Sequence, residues 1–266
     1  MASLPLTQAI PPAILDQLGL AHASWRPALE AGLQAVATAD PTYLPVLAED
    51  DYLPNGGRLF AAFTQPLQDV RYVLVGEGPY PRPESATGVC FMDGAVESLW
   101  SDKGLSKQVN RATSLRNFMK MLLVAAGHLS ADQTSGEAMG AIAGLAQANG
   151  SQFIQTRAAL QDNLARHGFL LLNAALVFRA HVPPVKDAKA WRPFLQVVLD
   201  ALVAHATEKH NALPVLILWG KVAELLSALP AYQRLPKVIS EHPYNLSFIL
   251  NSGMQQLFGP MKLLLK

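Results

Sequence analysis

At 266 residues, half of them hydrophobic, the chain is long enough to bury a full core, and no linker divides it, so one domain spanning 1–266 is expected. Twenty-one Lys and Arg against 20 Asp and Glu leave a formal charge of +1, which excludes a global field for nucleic acid and makes any basic footprint local. Cys90 stands alone and so excludes an intramolecular disulfide and a four-cysteine zinc or iron-sulfur site. The first eleven residues carry no basic, apolar leader and no run reaches membrane-spanning length, which points to a cytoplasmic protein without a membrane partner.

In chain order, Ser24 followed by Trp25, Leu29, Leu33 and Val36 predicts a capped amphipathic helix. Leu59, Phe60 and Phe63 suggest a short helix before Arg71-Tyr72-Val73-Leu74-Val75-Gly76-Glu77-Gly78-Pro79-Tyr80. That run of β-branched and aliphatic residues stopping at Gly-Glu-Gly-Pro reads as a buried strand whose carboxyl end turns into a ligand-binding loop. Residues 101–120 hold Lys103, Lys107, Arg111, Arg116 and Lys120 against Asp102 alone, and Ser114 opens a helix with Leu115, Phe118, Met119, Leu122 and Leu123 on one face. Such a basic edge is either a solvated face or a phosphate-docking one.

Residues 128–155 are rich in Ala, Gly, Ser and Gln. Met139, Ile142 and Leu145 allow a helix there, weakened by Gly140, Gly144 and Gly150. A helix from Leu160 leads to the run Phe169 to Asn173, and Trp191 opens a long helix reaching His205. His181 lies in a loop before that helix. Two further apolar runs, Val215 to Trp219 and Val238 to Ser240, each end in small or polar residues. Four strand ends then share one mouth in a three-layer α/β/α fold with a central, mainly parallel sheet, where active sites of α/β sheets lie.

These segments resemble family-1 uracil-DNA glycosylases. Gly76-Glu77-Gly78-Pro79-Tyr80-Pro81, followed by Gly88-Val89-Cys90-Phe91, is similar to the family's G-Q-D-P-Y-H and G-L-C-F. Leu170-Leu171-Leu172-Asn173-Ala174-Ala175-Leu176 is similar to its L-L-L-N-x-x-L, and His242-Pro243-Tyr244-Asn245-Leu246-Ser247 to its H-P-S-P-L-S. Ala112-Thr113-Ser114-Leu115-Arg116-Asn117 is similar to its P-P-S-L-x-N. Residues 128–155 exceed the family's corresponding stretch and read as an insertion.

The resemblance implies a DNA N-glycosylase of base-excision repair, free of metal and cofactor, acting on single- or double-stranded DNA with no protein partner implied. Phe91 would stack on the flipped base, Asn173 would read its edge, and Tyr80 would wall off thymine's methyl group. His242 would donate to the departing base and Leu246 would be the wedge. Ser114, Arg116 and Ser247 would touch the DNA backbone. Departures fall on the chemistry, because Gly78 occupies the position of the family's aspartate and Glu77 that of its glutamine. Other branches of the superfamily reading G-E-A-P-G carry a glutamate there, so Glu77 is a candidate carboxylate. It can equally be a structural one held by Arg71, Arg82 or a lysine.

Three readings follow. The chain is a uracil-type glycosylase with weakened or redirected hydrolysis, or a glycosylase-derived protein that binds DNA or a modified base without cleaving it. In the third, Pro81-Arg82-Pro83 adapts the loop to a bulkier base or another nucleic acid.

Overall fold

The computed structural model describes residues 10–266. Its strands are β1 (Tyr72–Gly76), a hairpin of β2 (Trp100–Ser101) and β3 (Gly104–Leu105), then β4 (Phe169–Asn173), β5 (Val215–Trp219) and β6 (Lys237–Ser240). The sheet takes the order β4, β1, β5, β6, the α/β arrangement predicted. β1 and β4 run parallel from Tyr72 opposite Phe169 to Gly76 opposite Asn173. β4 is buried along its whole length, as its unbroken apolar run requires.

Contacts gather into two units. The first holds the described residues up to Cys90, with Phe169–Ile217 and Val222–Lys237; the second holds Phe91–Gly168, Leu218–Lys221 and Val238–Lys266.

In the first unit, the helix Arg26–Ala39 packs along the helix Pro184–Glu208. Gly32 permits this approach, since a Cβ there would lie 2.6 Å from the Phe194 ring. The α-helix begins two residues after the predicted Ser24 cap. The His22 ring instead accepts the Ser24 N–H at the head of a 3-10 turn, Ala23–Trp25. Ser24 Oγ is committed elsewhere, accepting the N–H of Leu67. The long helix starts at Pro184, not Trp191. Proline at a first turn forfeits no hydrogen bond, whereas the interior Pro193 disguises the continuity of the helix in the sequence.

The first turn of that helix carries a buried ionic network. Arg179 donates from Nη2 and Nε to the two carboxylate oxygens of Asp187, at 2.6 and 3.3 Å, and from Nη1 to Asp50 at 3.0 Å. Tyr43 donates its hydroxyl to Asp187 at 2.7 Å. Burial and the neighbouring Asp187 push the Tyr43 hydroxyl far above its ordinary pKa. His181 lies 3.2 Å from Asp50, so it closes the rim of this network.

Removing one partner of a buried pair strands the other's charge. Asp187→Ala is therefore expected to lower unfolding free energy by about 3 kcal/mol in urea titration. Glu30→Ala, at the exposed pair Arg26–Glu30, changes it by less than about 0.5 kcal/mol.

In the second unit, the helix Thr113–Ala125 buries Leu115, Phe118, Met119, Leu122 and Leu123 as predicted, and Gly127 ends it at φ +74°. Residues 128–155 contain the helix Gly136–Gln147, packed on the β2–β3 hairpin. Met139 and Ile142 are buried, but Leu145 is exposed, and Ala143 and Ala146 occupy the inner face. Met139 and Gly140 lie nearest the hairpin, where a Cβ on Gly104 would meet the Met139 Cβ at 3.5 Å and one on Gly140 the Lys103 carbonyl at 4.0 Å.

Candidate functional site

The carboxyl ends of β1 and β4 carry the first set of predicted residues. Asn173 closes β4 at 3% exposure, and its Oδ1 has no hydrogen-bond partner. A buried amide oxygen left unpaired is costly. Gly76, directly opposite, makes room for it: a Cβ there would lie 2.8 Å from Asn173 Oδ1 and 3.0 Å from Cys90 Cβ.

Backbone pairing continues past the strands, with Ala174 N–H donating to Gly76 O at 2.8 Å and Ala175 N–H to Glu77 O at 3.1 Å. The Glu77 backbone is thereby held while its side chain is exposed. Among the described residues the Glu77 carboxylate takes part in no salt bridge, and the neighbouring Arg82 lies 3.9 Å from Glu84. Gly78 has open surroundings, its would-be Cβ meeting only Ala175 at 3.7 Å. Tyr80, two residues on, is half-buried. Cys90 is no nucleophile, because burial drives its thiol far above the usual pKa and the thiol donates to Leu74 O at 3.3 Å.

The second unit assembles the remaining predicted residues. Phe91 adopts φ +67°, a conformation that a non-glycine residue holds only when its surroundings impose it. Phe118 and Trp219 impose it, meeting the Phe91 ring edge-to-face at 5.2 and 5.0 Å. One face of the helix Thr113–Ala125 thus supports the aromatic ring, while its first turns present Ser114 and Arg116, both half-buried. Lys103, Lys107 and Arg111 of the basic segment are exposed, and Lys120 has its pKa lowered by burial and by Arg116.

Asn117, on the same helix and fully buried, organises the loop after β6. Its Nδ2 faces three successive carbonyls, those of Pro243 at 2.7 Å, Tyr244 at 3.3 Å and Asn245 at 3.4 Å. Arg116 Nε donates to Asn117 Oδ1 at 3.3 Å, which turns the amide nitrogen toward the loop. Within the loop, Asn245 N–H closes a turn on His242 O at 2.9 Å, and Tyr244 N–H donates to His242 Nδ1 at 3.1 Å. That bond makes Nδ1 an acceptor, so the neutral imidazole carries its proton on Nε2. Gly220, at φ +62°, lets the turn after β5 pass close to His242, where a Cβ would approach the histidine Cβ to 3.0 Å. Leu246 projects outward at 68% exposure and Ser247 is exposed, while Phe248 and Ile249 anchor the segment in the core.

The predicted residues therefore fall into two sets: Glu77, Tyr80 and Asn173 in the first unit, and Phe91, Ser114, Arg116, His242, Leu246 and Ser247 in the second. Sequence reasoning passed over Asn117, Gly76 and Gly220. Asn117 did stand in the motif shared with P-P-S-L-x-N, which was the available signal. Among the described residues no group of three His, Cys, Asp or Glu could hold a metal ion, and no helix is long and apolar enough to cross a membrane.

No protein-family model matches the chain. The wild-type UNG crystal structure from Nitratifractor salsuginis superposes with a TM-score of 0.86 at 39% identity, covering 100% of both chains. A point variant of that protein gives 0.85 at 40%, covering 96% of this chain and 98% of the other. The fold is that of the uracil-DNA glycosylases. In sequence, "Uracil-DNA glycosylase 1" of Streptomyces avermitilis is 31% identical over 231 residues, 86% of this chain and 83% of that protein. Its namesake in Streptomyces coelicolor is 29% identical over 230 residues, with the same shares of 86% and 83%. The chain belongs to the uracil-DNA glycosylase family.

Proposed function

We propose that the chain is a hydrolase of family-1 type that releases uracil or a related base from DNA, single- or double-stranded, using Glu77 as its carboxylate. The observation carrying this reading is the unpaired Oδ1 of Asn173, buried against the bare Gly76. An amide kept unpaired at such cost is suited to a ligand that brings its own donor, and uracil's N3–H is one. Phe91, held at positive φ, presents an aromatic face for the base, and Tyr80 excludes a 5-methyl group. Ser114, Arg116 and Ser247 dock the phosphates, and Leu246 fills the gap left by the flipped nucleotide.

In the reaction, the bond from C1′ to the base nitrogen breaks with its electron pair passing to the base. His242 donates from Nε2 to the base oxygen on which that charge develops, as its tautomer allows. The Glu77 carboxylate stabilises the positive sugar and receives the proton of the water that adds to C1′. With glycine where the family has aspartate, this hydrolysis is slower than that of an aspartate-bearing relative.

The test is single-turnover release of uracil from a single-stranded oligonucleotide at excess protein, beside a thymine control. Release from the uracil strand alone is expected. Tight binding without release supports the alternative, a protein that recognises the base and leaves it in place.

A further inference from the structure

The loop after β6 departs from the family pattern at Tyr244 and Asn245, which stand in place of serine and proline. Tyr244 is 69% exposed, close beside the equally exposed Leu246. Two adjoining large side chains held in water have no role in the core and mark a surface that meets something. Their exposure is imposed. Three carbonyls of the loop face Asn117, the Tyr244 N–H is bound to His242, and Phe248 and Ile249 are fastened below. With the backbone committed inward, the side chains point out. Asn245 between them is extended, at φ −78° and ψ 139°, so Tyr244 and Leu246 are rooted about 7 Å apart along the chain.

We infer that Tyr244 is a DNA-binding residue that stacks on the base adjoining the gap Leu246 fills; this rests on the reading of Leu246 as the wedge. Nucleotides rise about 3.4 Å apart along a strand, so two side chains rooted about 7 Å apart can bracket the neighbouring base, with Leu246 in the gap and the Tyr244 ring on the far face. In duplex DNA the next base pair covers that face. In a single strand the face is open, and an aromatic ring supplies the lost stacking. Tyr244 thus directs the protein toward single-stranded DNA.

The test uses single-stranded and duplex oligonucleotides carrying 2′-fluorodeoxyuridine, whose glycosidic bond is slow to break. Their binding to the parent, Tyr244→Ala and Tyr244→Phe is followed by fluorescence anisotropy, and base release from ordinary deoxyuridine DNA is measured in parallel. Tyr244→Ala is expected to weaken single-strand binding about tenfold and duplex binding less than about threefold, with Tyr244→Phe retaining parental affinity. Unchanged single-strand binding by Tyr244→Ala overturns the inference, as does an equal loss on both DNA forms or a loss in Tyr244→Phe as large as in Tyr244→Ala. If base is released while Tyr244→Ala binds like the parent, the stacking role falls and the hydrolase stands. If the expected binding losses occur without base release, the hydrolase falls and the stacking role stands.

Discussion

Glu77→Ala is expected to slow single-turnover base release by about 10²- to 10³-fold, the usual effect of deleting one electrostatic element from a catalytic site. Its affinity for uracil DNA is expected to stay near that of the parent, because the carboxylate acts on charge that develops only as the bond breaks. Stability should also hold. The side chain is exposed and takes part in no salt bridge among the described residues, while the backbone beneath it is held by Ala175. The companion variant is Gly78→Asp. Its new Cβ meets Ala175 at ordinary contact distance, and Gly78 does not occupy the left-handed region. The aspartate can therefore be accommodated, and base release should rise. A parental rate in Glu77→Ala would sink the proposal that the carboxylate has moved one position along the loop. Parental inertness cured by Gly78→Asp would place the chain among binding proteins.

Asn173→Ala should separate function from stability. Recognition that depends on hydrogen bonds to a buried amide is expected to fall by about 10²-fold in kcat/KM, from the loss of about 3 kcal/mol. Folding, by contrast, gains relief from an unpaired Oδ1 and loses only a few packed atoms, so Tm should move by no more than about 3 °C. A large fall in Tm with recognition intact would show that the amide serves the strand end and not a ligand. Asp187→Ala provides the contrast, since Asp187 is buried with all its hydrogen bonds inside the protein.

The ends of β1 and β4 were legible because an apolar run stopping at Gly76 or Asn173 is a local pattern, and strand burial follows from the run itself. The sheet could be anticipated for the same reason. What escaped was non-local. Asn117 meets carbonyls more than 125 residues further along the chain, and nothing in its own neighbourhood indicates them. Gly76 reads as a turn glycine, yet its missing side chain serves the Asn173 amide on another strand. The helix from Pro184 was hidden by Pro193, whose lost hydrogen bond is tolerated because Trp191, Phe194 and Leu195 are packed around it. Leu145 misled because hydrophobicity alone does not reveal which face of the helix is turned inward, here the one bearing Met139, Ile142, Ala143 and Ala146.

The amide of Asn117 has a thermodynamic consequence. A surface loop that orders only on meeting its ligand subtracts that lost conformational freedom from the affinity. Here three carbonyls are already held at one buried nitrogen, so the ordering is complete when the chain folds. On the proposed reading, the segment bearing His242 and Leu246 meets DNA preorganised, and the free energy of the encounter can go into distorting the nucleic acid.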